Sequence, residues 1–233
     1  ARVPTTRVAV EFDAGWAADS ADALGVEGLM LRASTEGADG MDANQLAQAR
    51  ESLGAGLSAS ASMDRTTYSL TAVSANLAPS LDLLADVVRR PDFEAAVVDR
   101  VRDQQISAIR AERSSPGGLG NNALYQTLYG GAYGRGPSGL GTIDAVTAAD
   151  RDDLIAFHSA WIRPDNARIY VVSDRPLAEI LPELESRFGD WTAPAVPRGT
   201  KAAVTINPAQ PRIILIDRPQ SPQSLILGGE VLS

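Results

Sequence analysis

Apolar and polar residues alternate along Val8-Ala-Val-Glu-Phe12, the pattern of a half-buried strand, and Asp13-Ala-Gly15 supplies turn residues directly after it. The spacing then predicts a helix from Ala23 to about Ser34, a break at Gly37 to Gly40, and a second helix from about Ala43 to Leu53, stopped by Gly54. Period two returns at Leu57 to Ser62 and, after a tight connection at Met63-Asp64, at Thr66 to Val73. In that second run Tyr68, Leu70 and Ala72 share one face while Thr67, Ser69 and Thr71 share the other, so a β-hairpin with one wet face is expected.

Leu77, Leu81, Leu84 and Val88 form an amphipathic stripe that must end before Pro91. A long helix starts near Phe93 and runs towards Arg113, where Ser114-Ser-Pro-Gly-Gly118 breaks it, and a shorter helix spans about Asn121 to Tyr129. The glycine-rich loop Gly130 to Gly141 follows. Thr147-Ala-Ala-Asp150 reads as an N-cap with an acid at N3, opening a helix to Trp161. Arg168 to Val172 reads as a buried strand, and Leu177, Ile180, Leu181, Leu184 and Phe188 mark a last helix. Ile213 to Ile216 and Leu225 to Leu227 read as strands.

Regular βα alternation is missing, so the order favours an α+β two-layer sandwich, an antiparallel or mixed sheet with helices packed on one face. The expected organisation is a module over residues 1–192, a proline-rich linker over 193–211, and a last strand with the start of a truncated following segment over 212–233.

Composition narrows the chemistry. The chain has 233 residues, 21 Lys plus Arg against 29 Asp plus Glu, one His and no Cys. Its acidity, with Lys201 as the sole lysine, excludes the clustered cations that nucleic acid needs. The lack of cysteine rules out disulfides, thiolate nucleophiles and Cys-ligated metals, and the single His158 rules out a His-pair metal site. No apolar run approaches the ~20 residues of a membrane span. The chain begins at Ala1 without a leader and ends in the apolar run Ser224 to Ser233, so it reads as a fragment of a longer protein.

Gly134-Arg-Gly-Pro-Ser-Gly139 has dinucleotide-fingerprint spacing, but a helix precedes it and Pro137 stands where an N–H donor is wanted, so it reads as a surface loop. His158 could act as a general base, yet its position beside Leu154 and Trp161 on a helix favours a core or boundary histidine. No Gly-x-Ser-x-Gly elbow offers a nucleophile.

The order of segments resembles the pitrilysin/insulinase family of zinc peptidases, the inverzincins. The resemblance rests on Val8 to Gly15 followed by Leu24-Gly-Val-Glu-Gly-Leu-Met-Leu-Arg32, on Leu53-Gly-Ala-Gly-Leu-Ser-Ala-Ser60 with Asp64 to Leu70, and on Leu83 to Phe93. Gly141-Thr with Ile143, Ala148 to Leu154, Arg163-Pro-Asp-Asn166, Val171 to Asp174 and Arg187-Phe-Gly-Asp-Trp191 follow in family order. The resemblance places the family's His-x-x-Glu-His motif on Gly28-Leu-Met-Leu-Arg32. In active members the two His hold zinc and the Glu activates its water; here Gly28 and Leu31 offer no ligand and Arg32 brings positive charge. The third ligand, a Glu on a later helix, is expected within Ile106 to Glu112, and Glu112 alone would not complete a catalytic set.

The resemblance therefore implies a degenerate, non-catalytic module with no catalytic, cofactor or metal residues of its own. Its partner would be a zinc-bearing catalytic domain or subunit of the same family, and together they would enclose a peptide substrate. The Arg-and-Tyr pair that holds substrate in such non-catalytic halves would fall beyond Ser233. Bacterial members are often exported, which implies a periplasmic location, with the cytoplasm as the alternative. The competing functional reading is a non-peptidase scaffold subunit of the same descent; a third, an independent enzyme using the Gly130 to Gly141 loop, would require ligand binding by this chain alone.

Overall fold

The computed structural model describes residues 4–129, 138–203 and 212–231. At its centre β1 (Thr5–Phe12) pairs on one side with β5 (Thr66–Val73) and on the other with β6 (Ala167–Val172), while β4 (Gly56–Ala61) completes the hairpin with β5. The sheet order is β4-β5-β1-β6 and every neighbouring pair is antiparallel. Register explains the alternation in the sequence. Val8 lies opposite Leu70 and Val171, and Val10 opposite Tyr68 and Ile169, so one face collects apolar side chains. The other carries Arg7, Glu11, Thr67, Ser69 and Thr71, all partly or fully exposed.

Helices close the apolar face, as the α+β two-layer reading requires. After the short turn Trp16–Ala18, α1 (Val26–Ser34) buries Leu29, Met30 and Ala33. The minor strands β2 (Gly37–Ala38) and β3 (Met41–Asp42) lead into α2 (Ala43–Leu53), which starts on an Asp42–Gln45 capping box and ends at Gly54 in the left-handed region. The stripe of α3 (Leu77–Arg89) buries Leu77, Leu81, Leu84 and Val88 almost completely, and α3 stops two residues short of Pro91.

Three helix starts differ from the sequence expectation: α1 begins at Val26 and not at Ala23, and α5 and α7 differ as follows. α4 (Ala95–Ser114) is followed at once by α5 (Pro116–Leu128), so Gly117 and Gly118 lie inside a helix and not in a break before it. Ser115 makes this possible: its hydroxyl accepts the Gly118 N–H at 2.9 Å, and Pro116 supplies the preset φ of a first helical residue. Thr147 is not an N-cap. It lies in a short helix, α6 (Ile143–Ala148), capped by Thr142, and the next helix, α7 (Arg151–Trp161), is capped by Asp150. One Asp150 oxygen accepts from Asp152 N and Asp153 N, at 2.8 and 3.1 Å, and a carboxylate that reaches two amides displaces a weaker hydroxyl cap.

α8 (Leu177–Phe188) packs on α3 through Ile180 and Leu184, and residues 193–203 then run back over the body. Buried Arg163 donates to the carbonyls of Val196 and Pro194, and Gly199 N donates to Ala160 O. Lys201 Nζ donates to Asp13 Oδ1 at 2.6 Å and to Asp64 O at 2.7 Å. Residues 212–231 lie extended along α5. The runs Ile213 to Ile216 and Leu225 to Leu227, expected as strands, carry no ladder among the described residues. Of the glycine-rich loop, residues 130–137 lie outside the described residues, as do 204–211 of the expected linker.

Candidate functional site

Helix α1 carries the positions that the resemblance singles out. Its inward stripe of Leu29, Met30 and Ala33 fixes the rotation of the helix against the sheet, and Leu31 is also buried. Gly28 and Arg32, one turn apart, share a face at which Gly28 is partly buried and Arg32 is exposed.

What faces Gly28 is Gln105 of α4. A Cβ placed on Gly28 would lie 3.6 Å from Gln105 Oε1, 3.7 Å from its Nε2 and 3.7 Å from the Gly139 carbonyl oxygen. Gln105 is 0% exposed, and its Nε2 donates to Gly25 O at 2.8 Å and to Leu140 O at 3.0 Å. Among the described residues its Oε1 is buried without a hydrogen-bond partner. The amide thus ties together α4, the start of α1 and the segment that enters α6. Gly139 itself closes on the Trp16 ring, 2.6 Å from where its Cβ would stand.

The residue opposite the motif is therefore one position before the expected window Ile106 to Glu112. Glu112, seven residues and about 10 Å further along α4, accepts a hydrogen bond from Asn122 of α5 and belongs to the α4–α5 junction. Sequence reading missed Gln105. Its only signal was its place among Val98, Val101 and Ile109 on the buried stripe of α4, where a polar residue demands a partner.

The residues present do not fit zinc. Gly28 and Leu31 have no donor atom, Arg32 is a cation, and the Gln105 amide nitrogen is committed to two carbonyls. Among the described residues no three His, Asp or Glu side chains converge as a metal cluster. His158 on α7 has its Nε2 2.9 Å from Val88 O, and its ring meets Phe93 edge-on. Burial pushes its pKa down to about 4 against that bond, so it is neutral and serves the core.

Two acids beside the motif also escaped the sequence reading. Asp19 accepts Gly25 N at 2.7 Å and Glu27 N at 2.9 Å, capping α1 from six residues upstream of Gly25, which has φ +94° and no side chain with which to cap. Glu27 is 1% exposed; its Oε1 accepts from the Thr66 hydroxyl at 2.7 Å, and Thr66 in turn accepts Gly15 N at 3.0 Å. Desolvation raises both carboxyls, Glu27 to about 8 and Asp19 to about 7. Asp19 receives two backbone N–H bonds that favour its anion. Glu27 has a single hydroxyl donor and feels the Asp19 charge, so Glu27 is the member that keeps a proton.

Fold and site together define an α+β module with a four-stranded antiparallel sheet, in which the Gly28 face of α1 meets a buried glutamine of α4. The chain belongs to the insulinase family, peptidase family M16, whose model matches residues 1–139, and the model for the M16 inactive domain matches residues 148–230. It is 28% identical over 153 residues to a probable mitochondrial-processing peptidase subunit beta of Arabidopsis thaliana, covering 64% of this chain and 28% of the plant protein. It is also 28% identical over 128 residues to cytochrome b-c1 complex subunit 1 of Bos taurus, covering 55% and 27% of the two chains. Among solved structures, the peptidase M16 inactive domain from Pseudomonas fluorescens superposes with a TM-score of 0.76 at 27% identity, covering 88% of this chain and 48% of that one. The chain thus spans under a third of these two curated relatives and about half of the solved structure.

Proposed function

We propose that this chain is a non-catalytic module of a zinc metallopeptidase, which forms part of the substrate chamber and assembles with a zinc-bearing half that performs the hydrolysis. The observation that carries the reading is the filled motif site: the face of α1 that would present ligands presents Gly28 and Arg32, and the buried Gln105 amide occupies the space in front of it. Large apolar side chains left uncovered support an assembling role. Ile213, Leu215 and Ile226 are fully or almost fully exposed, and a cleft of about 850 Å³ opens between α5 and residues 212–231. The test mixes the chain with its zinc-bearing partner and follows cleavage of an unstructured peptide together with the zinc content of each component. Activity that needs both, with zinc retained by the partner alone, is the expected result; stoichiometric zinc on this chain, or a partner fully active alone, overturns it.

The relative from the cytochrome b-c1 complex favours one alternative, a scaffold subunit that assembles without proteolysis. In that case the mixture forms a complex and cleaves nothing. We place the assembly in the periplasm, an assignment that fractionation of the source cells tests.

A further inference from the structure

The sequence of β6 reads as a buried strand, yet β6 is an outer strand of the sheet, with β1 on one side and no strand on the other among the described residues. Tyr170 and Val172 are 51% and 72% exposed, and Arg168 is its one charged residue. An apolar edge without Lys, Pro or a bulge is a template for a further strand. The chain carries a matching run that is also open. Residues 212–217 lie extended along α5 without a ladder among the described residues, with Ile213 and Leu215 almost wholly exposed and Ile214 and Ile216 less so, at the cleft on α5. Arg168, Arg212 and Asp217 form no ion pair among the described residues.

We propose that the open edge of β6 is the docking site for residues 212–217 of a second copy of this chain, paired antiparallel. Charge complementarity sets the direction and the register. With Arg168 opposite Asp217, Tyr170 falls opposite Leu215, Val172 opposite Ile213, and Arg212 comes beside Asp174. A parallel pairing instead sets Arg168 against Arg212 and brings Asp217 to Asp174, two repulsive contacts. The antiparallel register also faces the right way. Ile169 and Val171 lie opposite Val10 and Val8 on the helix side of the sheet, and their partners Ile216 and Ile214 are the side chains already turned to α5. Helix α5 of one copy then stands on the same side of the joined sheet as α8 of the other, where Leu177 and Leu181 are 67% and 44% exposed and lack cover. Made twice about a twofold axis, the contact closes a dimer. It needs no zinc-bearing partner and leaves Ile226 open to one.

The test is equilibrium sedimentation of the whole chain and of the variants Arg168→Glu, Asp217→Arg and Leu215→Lys, all at exposed positions, each checked for folding by circular dichroism. The wild-type chain should be a dimer that dissociates on dilution. Each charge reversal turns both attractive pairs of the dimer into repulsive ones and should weaken association about tenfold or more. Mixing the Arg168→Glu and Asp217→Arg chains must restore the wild-type affinity, because the mixed dimer holds one reversed pair and one original pair, both attractive. That rescue cannot arise from pairing within one chain. Leu215→Lys sets a charge among the apolar pairs and must also weaken the dimer; it carries the test if a charge reversal does not fold. A wild-type chain that stays monomeric, which leaves β6 to the chain's own run or to another protein, overturns the proposal. So does a dimer unmoved by the variants, or a mixture no tighter than its components.

Discussion

Replacing Gln105 tests whether its amide is the fastener of the filled site. In Gln105→Leu the volume is nearly kept and the two N–H donors are lost, which leaves Leu140 O without its partner and Gly25 O with the Leu29 N–H at 3.1 Å. A buried acceptor stranded outright costs about 1–3 kcal/mol. Gly25 O keeps one bond and bears only part of that cost, and Leu140 is partly buried, so its carbonyl can take water. The substitution also removes Oε1, which has no partner among the described residues, and this returns part of the loss. The net is about 1 kcal/mol, or roughly 2–4 °C in Tm for a chain of this size. Gln105→Glu should do more harm at pH 7, because it sets a buried anion against two carbonyl oxygens.

The sign of its pH dependence follows from the same contacts. The folded state raises the new carboxyl above the ~4.3 of a free Glu, since only the protonated form can donate to Gly25 O or Leu140 O. The folded chain then binds more protons than the unfolded one, so the deficit is small near pH 4 and grows as pH rises. Urea unfolding of the three proteins at pH 4 and pH 7, compared at constant m, reads both effects. A Gln105→Leu protein within about 0.5 kcal/mol of wild type at pH 7, the usual range for a neutral surface change, refutes the fastening role; so does a Gln105→Glu protein as stable as wild type at pH 7 in the absence of metal.

His158 is held neutral with its pKa lowered to about 4, so the unfolded chain takes up its proton first and stability falls as pH drops from 6.5 towards 4. His158→Gln should flatten that acid limb in thermal melts, while a limb of unchanged slope assigns it to another group. Lys201 is the only lysine and its amine is held by Asp13 and Asp64, so a lysine-specific protease has one, protected site. Arg163→Ala frees the carbonyls of Val196 and Pro194 and should speed that single cut about tenfold or more in limited proteolysis; an unchanged rate shows that Arg163 does not hold the strap. Gly199→Ala drives a methyl into the Trp161 ring, 2.2 Å from its nearest atom, and should cost about 1–3 kcal/mol in urea unfolding, a loss that a flexible strap would not show.

Legibility in the sequence followed the length of the pattern. The β4–β5 hairpin, the stripe of α3 and the end of α3 before Pro91 each rest on several residues that agree, and they stand where the spacing put them. Helix starts rest on one or two side chains, and there the reading slipped: Thr147 and Asp150 are both credible caps, and only the reach of the Asp150 carboxylate to two amides decides between them. The family was visible in the order of its short segments, and the proposed motif position at Gly28 to Arg32 rests on that resemblance. Its companion was not, because Gln105 is a polar residue in a buried stripe whose partners, Gly25 O and Leu140 O, lie 80 and 35 residues away and are backbone atoms that no pattern marks. Asp19 and Glu27 were hidden for the same reason, as acids normally read as solvated surface.

On the proposed assignment of the zinc motif to Gly28 to Arg32, its residues belong together as one set. Ligands that converge on a cation are tolerable only while the cation is there; without it, buried carboxylates and imidazoles repel one another or stay unpaired. No single change resolves that cost. A glycine at position 28 leaves room, and a Gln105 amide that spans to Gly25 and Leu140 uses the room. Leu31 adds apolar volume to the core, and Arg32 points its charge to solvent. Returning one ligand therefore does not return the site. A histidine at position 28 would have to displace a fully buried side chain and strand the Leu140 carbonyl before it met any metal, so the barrier to binding zinc lies in the packing around α1 as much as in the missing donor atoms.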